Sequence, residues 1–294
     1  ALQFDTQPIA RVKLNRRVSL RQLVGTPVLR DLAGLLDSAA SPDRSDLLQP
    51  LSTPDLDAVA TLVCFPYAGG NAVNFQQLAR ALEPSRIAVF GVELPGHDIA
   101  GTDGDLAGVA AIAERVDREL AGVSGPVLLW GHCAGAAHAL AVARLLEDRG
   151  AAPAGIVLGA MLLDEPAVLD AESAAVSAMS NAEITAQLHR DSAYIELDLL
   201  RSERADIVGA AYRHDVCTTN AYLADAGTPL ATPVDVVVAA DDPSTSGYAE
   251  RYGRWRLLAG TVRLHELAEG GHYFVRTRAE EAASVVTASL VAVP

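Results

Sequence analysis

An α/β domain with a mostly parallel sheet and helices on both faces is the fold class that the sequence predicts. Three observations carry it. From about residue 58, short apolar runs alternate with helix-like segments. The runs are continuously apolar, as strands buried on both faces require. Glycine-rich turns follow two of the runs, at "PYAGG" and "GHCAG", where a strand would hand over to a helix.

Residues 1–37 read as a separate helical piece. "IARVKLNRRVSLRQLVGTPVLRDLAGLLD" spaces its apolar residues as a helix does and breaks at Gly25-Thr26-Pro27. Residues 38–57, rich in Ser, Pro and Asp, read as a linker, because such a composition buries too little to fold alone. The main domain is then 58–294. "ATLVCFPYAGG" is its first strand and turn, "VNFQQLARAL" a helix, and "RIAVFGVELPGH" a second strand. "LAGVAAIAERVDREL" is a helix, "PVLLWGH" a third strand and "AGAAHALAVARLLEDRG" the helix after it. "AGIVLGAMLLD", "PVDVVVAADDP" and "VRLHEL" are three more strands, and a helix closes the chain from about 278 to 291. Residues 165–228 interrupt the alternation with helical sequence, in which Asn181 reads as an N-cap. An insertion there, between the fourth and fifth of these strands, is where a lid would sit.

Bulk properties narrow the function classes. The chain has 294 residues, is 50% hydrophobic and 20% charged, and carries a net charge of −14. That charge disfavours nucleic acid and anionic membrane surfaces as partners. No apolar run is long enough to span a bilayer, and no secretory signal is visible. Three widely spaced cysteines, Cys64, Cys133 and Cys217, form neither a disulfide framework nor a zinc pattern, so a cytoplasmic protein without a metal is expected.

"VLLWGHCAGAAHAL", residues 127–140, carries the chemistry. It has the layout of a nucleophile elbow, Gly-x-Ser-x-Gly at a strand-to-helix turn, with cysteine at the centre. Cys133 would be the nucleophile, and the following helix N-terminus would favour negative charge on its sulfur. His272, in "EGGHYFV" after the last strand, is the candidate base. Asp242 follows the strand before it and is the candidate acid; Asp241 is one residue away, and Asp164, one strand earlier, is a rival. This leaves the order nucleophile, acid, histidine, as the α/β-hydrolase architecture requires. Backbone N–H groups of Ala68 and Ala134 are the expected oxyanion donors, worth roughly 3 kcal/mol each when well placed. Of the other histidines, His132 should point away from the nucleophile, and His97 is placed at the pocket rim. His138 lies on the helix after the elbow, whereas His189, His214 and His265 lack a motif. Trp130 and Tyr273 either flank the pocket or belong to the core.

Together "CFPYAGG", "GVELPGH", "WGHCAGAAHALAVARLLEDRG" and "EGGHYFV" resemble the thioesterases of nonribosomal peptide and polyketide assembly lines, over residues 58–292. The stretch from "YRHDVC" to "VVVAADDP" is similar to the stand-alone editing members. "RRVSLRQLVGTPVLRDLAGLLD" resembles the back half of a peptidyl carrier domain, whose 4′-phosphopantetheine serine would fall near Ala1. The resemblance therefore implies a chain-releasing thioesterase of a peptide synthetase, working with upstream carrier and synthetase modules on a peptidyl thioester and monomeric as a domain. Family members usually have serine in the elbow. Cys133 is either natural or an engineered replacement. A natural cysteine resembles the subgroup associated with strained β-lactone and β-lactam rings, and implies release by cyclisation. Hydrolytic editing is the alternative activity. A non-catalytic module that docks carriers is the alternative of another class, and it predicts no reactive thiol.

Overall fold

The computed structural model describes residues 47–52, 58–97, 105–190, 202–225 and 227–291. The carrier-like segment 1–37, including Ala1, and most of the stretch read as linker lie outside the described residues. Seven strands form one sheet: β1 (Leu48–Pro50), β2 (Ala60–Phe65), β3 (Ile87–Val92), β4 (Val127–His132), β5 (Gly155–Gly159), β6 (Val234–Ala239) and β7 (Val262–Leu267). Their order is β1-β3-β2-β4-β5-β6-β7. All neighbours run parallel except β1, which pairs antiparallel with β3. The fold class expected from the sequence is the one observed.

Strand periodicity explains how one sheet feeds two cores. Val63, Phe65, Leu129, Ile156, Leu158, Val236 and Val238 face one side. Leu62, Cys64, Leu128, Trp130, Val157 and Val237 face the other. Successive side chains of a strand alternate between faces, so apolar residues at every position require cover on both. Helices α1 (Gln76–Leu82) and α7 (Ala279–Val291) cover the Trp130 face. Helices α2 (Val109–Leu120) and α3 (Gly135–Asp148) cover the Phe65 face. Trp130 is fully buried, so it belongs to the core.

Strand β1 lies inside the segment read as linker. Its polar, proline-containing sequence hides it, but a sheet edge tolerates both features. The Glu119 carboxylate of α2 accepts from the Leu47 and Leu48 N–H groups, 2.8 Å each, and Leu47 is buried. These contacts order a stretch whose composition alone argues for a coil.

The insertion contains α4 (Pro166–Ala178), α5 (Asn181–Arg190) and α6 (Ser202–Ala224), between β5 and β6. Ser180, not Asn181, caps α5. The Ser180 hydroxyl accepts from the Glu183 N–H (3.2 Å), and Glu183 Oε2 accepts from the Ser180 N–H (2.8 Å). This is a reciprocal capping box. The Asn181 side chain donates instead to the Asp206 carbonyl of α6. Gly209 lets α6 approach α5 closely, since a Cβ there would lie 2.8 Å from the Asn181 Cα.

Away from the elbow, Asp235 on β6 is fully buried and saturated with donors. It accepts two bonds from Arg263, one from His265 and one from Ser289, all 2.7 Å. Burial penalises the carboxylate, but these donors outweigh it and hold the acid far below the usual range. Asp235→Ala should lower unfolding free energy by about 3 kcal/mol in urea titrations, because Arg263, His265 and Ser289 lose their acceptor. Alkylation of Cys133 should be unaffected.

Candidate active site

The elbow forms as its glycines require. Cys133 sits between β4 and α3 with φ +51°, in the left-handed region. For a residue with a side chain that conformation costs about 1–2 kcal/mol, so surrounding contacts must hold it. The Cys133 N–H donates to the Gly159 carbonyl (2.8 Å), and the Ala136 N–H donates to the Cys133 carbonyl (2.9 Å). A Cβ on Gly131 would lie 2.6 Å from the Ala136 Cα, and one on Gly135 would lie 2.2 Å from the Phe65 carbonyl oxygen. Neither position admits a side chain. Cys133 is half-buried, whereas Cys64 is fully buried and its thiol is pushed up by that burial.

His272 lies in the turn after β7. Its Nδ1 is 3.0 Å from Asp242 Oδ2 and 2.9 Å from Ser244 Oγ. A carboxylate only accepts, so Nδ1 carries a proton and the other ring nitrogen is left to face the sulfur. Burial disfavours the imidazolium. The negative charge of Cys133, its hydrogen bond to the ring, and Asp242 outweigh burial and raise the His272 pKa to about 10. Asp242 is buried at the end of β6. Its own pKa is lowered, because bonds from His272 and Ser244 exceed the cost of burial.

The rival acids are placed elsewhere. Asp164 accepts from Arg251 Nη2 at 2.7 Å. Asp241 accepts from the N–H groups of Gly270 (3.2 Å) and Gly271 (2.8 Å), so it shapes the loop that carries His272. Ala68 and Ala134 are both buried and share a small apolar cluster with Val176, Ile184, Leu188, Val208 and Val216 of the insertion. Tyr273 packs against this cluster, at the site rather than in the main core.

Several contributors carry no sequence motif. Ser244 donates to both oxygens of Asp242, 2.8 and 2.9 Å, and its backbone N–H donates to Oδ1 (2.9 Å). An Asp two residues before a Ser at a turn is the signal that could have found it. His132 is buried and stacks on Trp130, and it is not idle. Its Nε2–H donates to the His272 carbonyl at 2.7 Å. Burial and the neighbouring His272 push its pKa down to about 3, so it stays neutral and fixes the loop. His97 is buried, not at the rim, and its Nε2 lies 2.8 Å from Asp215 Oδ2.

Among the described residues no group of three or more His, Cys, Asp or Glu could hold a metal ion, and no helix is long and apolar enough to cross a membrane. A cavity of about 400 Å³ opens elsewhere, between α1 and residues 276–281, and is lined by Gln77, Arg80, Arg276 and Arg278 among others. None of Cys133, His272 and Asp242 lines it.

A nucleophile on a strained turn, a histidine beside it and a buried acid behind the histidine can perform acyl transfer. The chain is 27% identical over 231 residues to thioesterase PikA5 of Streptomyces venezuelae, covering 78% of this chain and 80% of that protein. The fold superposes on the type II thioesterase BorB from the borrelidin biosynthetic cluster with a TM-score of 0.70 and 23% identity, covering 85% of this chain and all of BorB. It also superposes on RedJ, a thioesterase from the prodiginine pathway of Streptomyces coelicolor, with a TM-score of 0.67, 24% identity and coverage of 85% and 97%. The thioesterase-domain family model matches residues 60–290, and the chain belongs to that family.

Proposed function

We propose that the protein cleaves carrier-bound acyl or peptidyl thioesters through a covalent intermediate on Cys133. The observation that carries this reading is the hydrogen-bonded series from Cys133 through His272 to Asp242. The carrier and its 4′-phosphopantetheine arm are substrate here, delivered by a biosynthetic assembly line for peptides or polyketides.

The steps follow from the geometry. The Cys133 thiolate attacks the thioester carbon, forming a C–S bond and moving the carbonyl electrons onto oxygen. The N–H groups of Ala68 and Ala134 hold that oxyanion. Collapse breaks the bond to the pantetheine sulfur, and the His272 imidazolium gives that thiolate its proton. Cys133 is then a neutral thioester. The charge that held the His272 pKa high is gone, so the ring can act as a base near neutral pH. It takes the proton of the incoming nucleophile, a second oxyanion forms, and Cys133 leaves as thiolate.

The incoming nucleophile is a group within the substrate, and release is cyclising. Exchanging one thioester for another keeps the acyl group activated towards an amine or hydroxyl, which a serine oxyester would not do as well. Similarity to BorB and PikA5 favours a second reading, hydrolytic editing by water. Turnover of peptidyl N-acetylcysteamine thioesters with internal nucleophiles separates the two by mass. A product one water lighter than the free acid supports cyclisation, whereas free acid alone across the series leaves editing.

A further inference from the structure

The insertion contributes a buried ion pair that the catalytic series does not use. Asp215 lies on α6, and both it and His97 are almost fully buried. Asp215 Oδ2 accepts from His97 Nε2 at 2.8 Å and from the Gly69 N–H at 2.8 Å. His97 Nδ1 lies 3.0 Å from the Pro95 carbonyl oxygen. A carboxylate and a carbonyl both only accept. Both ring nitrogens therefore donate, and His97 is an imidazolium. Burying that charge pair is costly unless its bonds are made, and here they join three segments: α6, the 94–97 turn and the loop after β2.

The third bond falls at a significant place. Gly69 follows Ala68, the proposed oxyanion donor of that loop, and Gly69 has φ +70°. One turn along α6, Thr219 Oγ1 donates to the Ala134 carbonyl at 2.9 Å, on the buried side of the elbow. Residues four apart share one face of a helix. A single face of α6 thus grips the backbone beside Ala68 and the backbone of Ala134, the two residues whose N–H groups must converge on one oxygen.

We propose that Asp215, with His97 and Thr219, positions the oxyanion hole, so that α6 frames the site and does not merely cover it. These are positioning residues, since none of them touches the reacting atoms. The inference rests on the reading of Ala68 and Ala134 as oxyanion donors in a Cys133 thioesterase.

The test separates chemistry that passes through an oxyanion from chemistry that does not. Acylation of Cys133 by an acyl N-acetylcysteamine thioester forms a tetrahedral oxyanion, whereas alkylation of Cys133 by iodoacetamide does not. In the full chain, Asp215→Asn should slow the acylation rate by about 10- to 100-fold, the cost of misplacing a donor by a fraction of an ångström to an ångström. KM should stay within about 3-fold and alkylation within about 2-fold, since neither reads the oxyanion. Thr219→Val keeps the side-chain shape and removes the donor. It should show the same split at smaller size, and it carries the test if Asp215→Asn does not fold. Acylation at the wild-type rate in folded variants overturns the proposal. So does a parallel fall of acylation and alkylation, which would mark a general loss of structure. A wild-type chain that alkylates at Cys133 but never acylates is a distinct failure: it removes the thioesterase reading itself.

Discussion

His272→Ala is expected to slow acylation of Cys133 by roughly 10²- to 10⁴-fold, the range for loss of a positioned acid–base group. Stopped-flow release of the thiol from an acyl thioester would measure it. Two losses combine. The wild-type imidazolium pairs with the sulfur, so removing it takes away the charge partner of the attacking thiolate. It also removes the proton donor for the departing thiol. Deacylation should be slowed as well, because no base remains to activate the second nucleophile. Iodoacetamide alkylation of Cys133 near neutral pH should fall in the same variant, while that of the buried Cys64 should stay negligible. Folding should be little changed, since the ring is at the end of a loop that His132 holds through the backbone.

Asp242→Asn is expected to lower turnover by roughly 10²- to 10⁴-fold with little change in KM, by analogy with other triads in which the acid is neutralised. The amide keeps the size of the carboxylate. Its NH₂ face can reverse the proton direction at Nδ1 and present the wrong tautomer to the sulfur. Ser244 moderates the loss, because its Oγ also lies 2.9 Å from Nδ1 and can accept that proton. The pH dependence has a definite sign. Asp242 raises the His272 pKa through a hydrogen bond and through its charge, so removing both lowers it. In the wild type the imidazolium persists until about pH 10; in the variant it should be lost at lower pH. A proton-exchange or NMR titration of the ring would show the midpoint moving down. A midpoint that stays put would show that Asp242 does not govern the ring.

The parts of the site that could be read from the sequence are those fixed by local chain direction. Cys133 stands between two glycines that admit no Cβ, at the end of an apolar run, so spacing alone marks the elbow. Asp242 and His272 follow the ends of successive strands β6 and β7, and parallel neighbours bring such ends together. Asp164 also follows a strand, and only the three-dimensional position of Arg251 shows where its carboxylate is engaged. Other contributors were invisible because their partners are remote in the chain. His132 and the His272 carbonyl are 140 residues apart, and His97 and Asp215 are 118 apart. No local pattern encodes such pairs. Strand β1 was hidden for a related reason: its ordering depends on the edge of β3 and the Glu119 carboxylate, not on its own composition.

The central claim, a covalent acyl group on Cys133, is tested most directly by intact-protein mass spectrometry. The chain would be mixed with a peptidyl N-acetylcysteamine thioester, quenched in acid and digested. The account predicts an adduct with the mass of the acyl group, mapped to Cys133 and absent from Cys133→Ala. Turnover with no adduct at any time, or turnover that persists in Cys133→Ala, would contradict it.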